Sequence, residues 1–326
     1  MLCGVLDEGK TLITEDILGK QQYFKKKYII LIQKFNQLLN NLVNRHHIKK
    51  QYLLLIMFTL ASSVCISQRT ELGLFLGGSY YLGDLNPKKH FLLTGPAIGG
   101  LYRYNLNPRF TLKNNIYVGL IRGDDKISKS NENRNLNFTS PIGELSIQME
   151  FNFFPYVTGH KKYKFSPYIF IGGALSFFQP QTEYKGQWYK LQSLSTEGQG
   201  TTYNTDKQKY SLINFSMPFG LGFKFSIRDN VCFSPEWGIR KSSTDYIDDV
   251  STTYPDLGIL EREVSEVAAA LSDRSENTLT SNKEGMQRGN ARTKDWYSFF
   301  GVTITYKINK RRMCATYKKS KPIFYY

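Results

Sequence analysis

The chain has 326 residues, enough for one large domain or two small ones, and its 26 glycines, 22 tyrosines and 22 phenylalanines suit antiparallel sheet better than a helix bundle. A net charge of +16 would ordinarily point to nucleic acid, but much of the excess lies before Leu53 and after Lys307, so no nucleic-acid partner is implied. Cys3, Cys65, Cys232 and Cys314 stand apart, without CxxC or Cys/His spacing, which leaves metal chemistry little to build on.

In chain order, residues 1–48 carry only a basic amphipathic pattern and read as an overlong start or an extra leader. Lys49 and Lys50 then precede a short apolar run, 53–64, that ends at Cys65-Ile66-Ser67-Gln68. This is a signal peptide over 49–67, cut between Ser67 and Gln68. It is too short to span a bilayer, which takes about 20 residues. Branched Val64 stands where a lipoprotein signal needs a small residue, which counts against lipidation of Cys65.

From Gln68 onward apolar residues recur with period two. In ELGLFLGGSY, Leu72, Leu74 and Leu76 share a face. In ELSIQMEFNFF, Leu145, Ile147, Met149, Phe151 and Phe153 alternate with polar residues. INFSMPFGLGFKF repeats the pattern from Phe215 to Phe225, and WYSFFGVTITYK sets Phe300, Val302, Ile304 and Tyr306 against Thr303, Thr305 and Lys307. Eight such segments lie near 71–81, 95–105, 109–122, 143–154, 164–178, 210–226, 230–244 and 295–307. Pro167 and Pro218 count against their strands, since each removes a ladder donor. The small and charged residues share one face and the bulky apolar set the other. An eight-stranded barrel interior is too narrow for the bulky set, so the polar face belongs inside and the apolar face outside.

The connections near 82–94, 123–142, 179–209 and 245–294 are long. They alternate with short ones at 105–108, 155–164 and 227–230, the pattern of extracellular loops and periplasmic turns. The expectation is an all-β, eight-stranded antiparallel transmembrane β-barrel of outer-membrane type over 68–308, in contact with outer-membrane lipids. A short helix over about 259–272 would fold over the extracellular mouth or dock on a neighbour, and 309–326 form a basic tail. Tyr80, Tyr81, Phe154, Tyr156, Phe177, Phe178 and Trp296 would form interfacial girdles.

An inward polar face gathers Glu71, Arg103, Glu144, Glu150, Lys224, Glu236, Arg240 and Lys307, four acids and four bases that read as a structural ion network. Glu144 and Glu150 would be about 20 Å apart along one strand, too far for paired-carboxylate catalysis. Asp245, Asp248, Asp249 and Asp256 lack EF-hand spacing and read as a solvated loop or a partner surface rather than a calcium site. No nucleotide motif, GxSxG or His-based triad occurs, so neither an enzyme, a cofactor nor a small-molecule substrate is indicated.

The stretches ELGLFLGGSYYLGDLNP, GLYRYNLNPR, SPYIFIGGALSFFQPQTEYKGQWYKLQSLSTEGQG, STDYIDDVSTTYPD and QRGNARTKDWYSFFGVTITYK resemble the DUF6089 family of Bacteroidetes over about 68–307. That family includes the PorG-type barrel of the type IX secretion system. The resemblance implies a barrel that anchors a periplasmic ring, a lipoprotein and its partner, to the outer membrane. A stand-alone barrel that binds a surface ligand or stabilises the membrane is the alternative. Lys161, Lys162, Tyr163 and Lys164, on the longest short-side connection, are the expected periplasmic contact.

Overall fold

The structure is a computed structural model that describes residues 70–275 and 283–308. The expected extension, signal peptide and basic tail lie outside these residues. Eight antiparallel strands form the barrel: β1 (Thr70–Leu82), β2 (Gly95–Asn105), β3 (Phe110–Asp124), β4 (Asn137–Asn152), β5 (Phe165–Phe178), β8 (Ile213–Arg228), β9 (Val231–Ser242) and β10 (Trp296–Lys307). A hairpin of β6 (Gln181–Tyr184) and β7 (Gln187–Lys190) extends from β4 outside the ring. Strand β1 pairs with β10, and the β3–β4 ladder runs from Phe110↔Phe151 to Asp124↔Asn137, so every barrel strand has two neighbours. Closure satisfies the backbone groups that an open edge would leave unpaired in lipid.

Alternation sorts the faces. Leu72, Leu74, Ile98, Ile116, Val118, Leu145 and Phe215 are exposed on the outer wall, Leu74 by 64%. Their neighbours Glu71, Asn115, Glu144, Ser146 and Ser216 are buried inside. A closed barrel of strands 11 to 16 residues long with an apolar outer wall is an integral outer-membrane protein. No helix among the described residues is long and apolar enough to cross a membrane.

Both disputed prolines lie within strands, for local reasons. The Pro167 carbonyl accepts from the Phe153 amide just past the last β4–β5 pair, Asn152↔Tyr168. The Phe153 carbonyl, which a residue 167 amide would otherwise reach, takes the Arg109 guanidinium instead. At Pro218 the β5–β8 ladder opens, with no pairs between Ile171↔Phe219 and Ala174↔Ser216. The barrel tolerates the gap because paired stretches flank it on both sides.

Several expectations are corrected. Strand β4 begins at Asn137, six residues before 143, and β8 at Ile213 rather than 210. The hairpin β6–β7 occupies a stretch read as loop. Its two-residue turn puts Lys185 (φ 50°) and Gly186 (φ 78°) in the left-handed region, the geometry that matches strand twist. Earlier connections hold the one-turn helices α1 (Asp125–Ser128) and α2 (Leu191–Leu194), and the last holds two, α3 (Leu257–Glu263) and α4 (Glu266–Ser272), because Ser265 breaks the run and caps α4 by accepting from the Ala268 amide.

The interior is not reserved for small residues. Phe75, Tyr117, Tyr297 and Phe299 are buried in it, with Phe75 stacked on Tyr117 at 4.4 Å. Glycines make the room: a Cβ at Gly238 would lie 2.5 Å from the Phe170 ring. For the same reason the expected girdle is incomplete. Phe154 and Phe177 face outward, whereas Tyr81, Tyr156 and Phe178 are buried.

Candidate functional site

Two polar assemblies stand out, a charge network inside the barrel and a folded loop layer over its extracellular end. In the barrel, Arg103 Nε lies 3.2 Å from Glu150 Oε1, and Lys224 Nζ lies 2.6 Å from Glu150 Oε2. Lys113 Nζ sits between the two acids, 2.9 Å from Glu236 Oε2 and 3.4 Å from Glu150 Oε1. Tyr117 and Tyr168 donate to Glu236 at 3.0 and 2.8 Å. Toward the cell surface along β4, Arg240 binds Glu144 through Nε at 3.0 Å and Nη2 at 3.3 Å, and Tyr297 donates to the same carboxylate at 2.9 Å.

Of the eight residues singled out in sequence, six thus meet in ion pairs, in two groups. The four-against-four pairing is corrected. Glu71 accepts from Asn105 at 3.0 Å, Thr158 at 2.6 Å and Thr305 at 2.7 Å, while Lys307 Nζ donates to the Thr158 carbonyl at 3.1 Å. Both are engaged by the 155–164 connection, whose Tyr156 and Thr158 are buried in the periplasmic mouth. Lys113 escaped the sequence reading, although its inward parity is that of Thr111 and Asn115. Glu144 and Glu150 have separate partner sets, so they do not act as a pair.

Lys161, Lys162 and Lys164 are exposed, and half-buried Tyr163 stacks on His160 at 4.7 Å. The His160 ring nitrogen accepts from the Lys162 amide at 3.1 Å, which shapes the turn. Gly159, at φ 82°, packs so closely on the Asp229 backbone that a Cβ would have no room.

The loop layer is built on Glu197. It accepts from the Ser251 and Thr252 amides at 2.8 and 3.0 Å and from Arg288 Nη1 at 3.2 Å. Burial opposes ionisation of Glu197, but Arg288 and these hydrogen bonds prevail and hold its pKa below the ordinary value. Arg288 also donates to the carbonyls of Asp249 at 2.6 Å and Ser272 at 3.2 Å, tying α4 to the loop before α3. Arg134 binds Asp125 through two contacts, 2.8 and 2.6 Å, and donates to the Arg288 carbonyl at 2.7 Å. Leu271 of α4 packs in one apolar cluster with Phe138 and Phe178, so the helix covers the mouth.

The aspartate run expected to be solvated is mostly buried. Asp245, Asp248 and Asp249 lie inside the layer, and Asp256 caps α3 by accepting from the Gly258 and Ile259 amides. Tyr81 Oη is 2.5 Å from Asp248 Oδ2 and 2.9 Å from Asp295 Oδ1. One hydroxyl proton serves only one of those contacts, so the other needs a proton held by a carboxyl. Burial, with repulsion from neighbouring carboxylates, pushes the pKa of both Asp248 and Asp295 well up. Burial likewise raises Asp245 to about 7 and Asp249 to about 6. Among the described residues no three His, Cys, Asp or Glu side chains stand in a metal-holding group.

Solved barrels are similar in fold. The N-terminal β-barrel domain of Pseudomonas aeruginosa OprF is 10% identical, covers 72% of this chain and 97% of its own, and gives a TM-score of 0.30. Neisserial surface protein A is 7% identical, with 73% and 97% covered and a TM-score of 0.34. Ail, the attachment invasion locus protein of Yersinia pestis, is 10% identical, with 74% and 99% covered and a TM-score of 0.33. Likeness at this level says nothing of function. No curated protein matches the chain. The family model described as "Domain of unknown function (DUF6089)" matches residues 49–261, well over half of the sequence. The chain belongs to the DUF6089 family.

Proposed function

We propose that this protein is a non-enzymatic, stand-alone outer-membrane barrel that acts through its extracellular loop layer, binding a surface ligand or bracing the membrane. The observation that carries this reading is the Glu197–Arg288–Asp249 core, which ties the third and last long connections into one preorganised surface, with Arg134 of the second donating to the Arg288 carbonyl. A fixed surface binds with little ordering cost. The test is co-purification from membranes in mild detergent. A stand-alone barrel comes out without periplasmic proteins, and stoichiometric recovery of them would refute the reading.

A second reading, anchorage of the periplasmic ring of a type IX secretion system, draws on the family resemblance and on the shaped, lysine-bearing turn at 155–164. Its exposed ammonium groups suit an acidic partner surface, and rim charges chiefly govern association and its salt dependence. Under this reading the triple reversal Lys161→Glu, Lys162→Glu, Lys164→Glu abolishes recovery of ring proteins while heat-modifiable folding is kept. Unchanged recovery would remove the turn as the anchor.

A further inference from the structure

The first extracellular connection, residues 83–94, folds back over the outer wall of the barrel. Phe91 lies 4.9 Å from the rings of both Tyr80 and Phe300, and His90 lies 6.2 Å from Trp237. Tyr80, Trp237 and Phe300 all belong to the outward-facing set of their strands. Trp237 Nε1 donates to Tyr80 Oη at 2.9 Å, and that oxygen is 3.1 Å from His90 Nδ1. Phe91 has a φ of 61°, a conformation bulky residues rarely adopt. The aromatic contacts therefore hold the segment down on the wall. Phe91 stays 51% exposed there, on a wall whose outward residues include Leu76 and Ile98.

The same segment carries Lys88 and Lys89. With Ser128, Lys129 and Ser130 of the second connection they line a concavity of about 360 Å³ in which no acidic residue takes part. All three lysines are exposed, and the Ser128 and Ser130 hydroxyls lie 2.9 Å apart. Of the nearby carboxylates, Asp124 accepts from the Ile127 amide and Asp125 binds Arg134, while exposed Glu132 does not line the concavity. An exposed aromatic on an apolar wall, in the same short segment as Lys88 and Lys89 of that concavity, has the polarity profile of a lipid headgroup boundary.

We propose that this concavity binds the phosphate groups of an outer-leaflet glycolipid of the lipid A type, with Phe91 against its acyl chains. The proposal rests on the protein acting from its extracellular face, and it is indifferent to what the periplasmic turn contacts. A lost lipid site would leave the co-purification result untouched, so the two can fail separately.

The test uses the full chain in phosphatidylcholine nanodiscs, titrated with bisphosphorylated lipid A, dephosphorylated lipid A and inorganic phosphate. A lysine near an anionic surface contributes about fivefold, so three give a preference of about a hundredfold for the bisphosphorylated form. Lys88→Gln, Lys89→Gln, Lys129→Gln should erase that preference, and the corresponding three arginines should keep it. Wild-type protein that does not distinguish phosphorylated from dephosphorylated lipid A overturns the proposal, and this comparison needs no variant to fold. Binding of inorganic phosphate as tight as that of lipid A overturns the lipid as the source of the anion.

Discussion

Arg240 shows why single charges inside the barrel matter. It is the ion-pair partner of Glu144, and Tyr297 completes that carboxylate's hydrogen bonds. Removing one member of a buried pair strands the other, at a cost of about 3–5 kcal/mol. Arg240→Met should lower the urea midpoint of the folded, heat-modifiable form accordingly, and adding Glu144→Gln should recover much of the loss. Glu150 is placed differently, with Arg103, Lys113 and Lys224 all within 3.4 Å. Glu150→Gln leaves three cations without their shared anion, whereas Lys113→Met leaves both acids still paired. The glutamate variant should therefore be the less stable in the same titration. A reversed order would mean that the lysine, rather than the carboxylate, organises the cluster.

Among the elements, the loop layer gathers carboxyls whose pKa burial raises, so its packing should depend on pH. Asp245 and Asp249 have pKa values raised to about 7 and about 6, while in an unfolded loop they would ionise near 3.8. The folded layer therefore holds more protons than the unfolded one between about pH 4 and pH 7, and its stability falls as pH rises through that window. Glu197 acts in the opposite sense. Its lowered pKa gives support that is present above about 4.5 and lost as pH falls through the folded value. Hydrogen exchange over residues 245–272, corrected for its intrinsic rate, should be slower at pH 5 than at pH 8. Asp245→Asn should reduce the difference, because it removes the carboxyl raised to about 7 and leaves that of Asp249. Equal protection at the two pH values would show that these carboxyls are hydrated and ordinary.

At the scale of the whole molecule, the interior is filled. The ion network, the aromatic residues above it and the 155–164 connection at the periplasmic mouth occupy a lumen that eight strands keep narrow. Purified protein in planar bilayers should show no large, steady conductance. Wide, stable channels would require the lumen residues to leave their partners.

Parity along the strands determined most of the barrel from sequence alone. A strand's side chains alternate with period two, and a membrane demands an apolar outer wall, so the inward positions of Glu71, Arg103, Glu144, Glu150, Lys224, Glu236, Arg240 and Lys307 were legible one residue at a time. Lys113 obeyed the same parity and was overlooked. Partner choice was not legible, because it depends on how strands far apart in sequence stagger across the lumen. Glu144 meets Arg240 across 96 positions, and Glu71 meets a hydroxyl of the 155–164 turn rather than a cation. The burial of Asp245, Asp248 and Asp249 was likewise hidden, since a loop's local composition records nothing of what packs on it. Whether an aspartate is solvated or sealed under a helix is settled only when Glu197 of one connection meets Arg288 and α4 of another, and that is a property of tertiary structure.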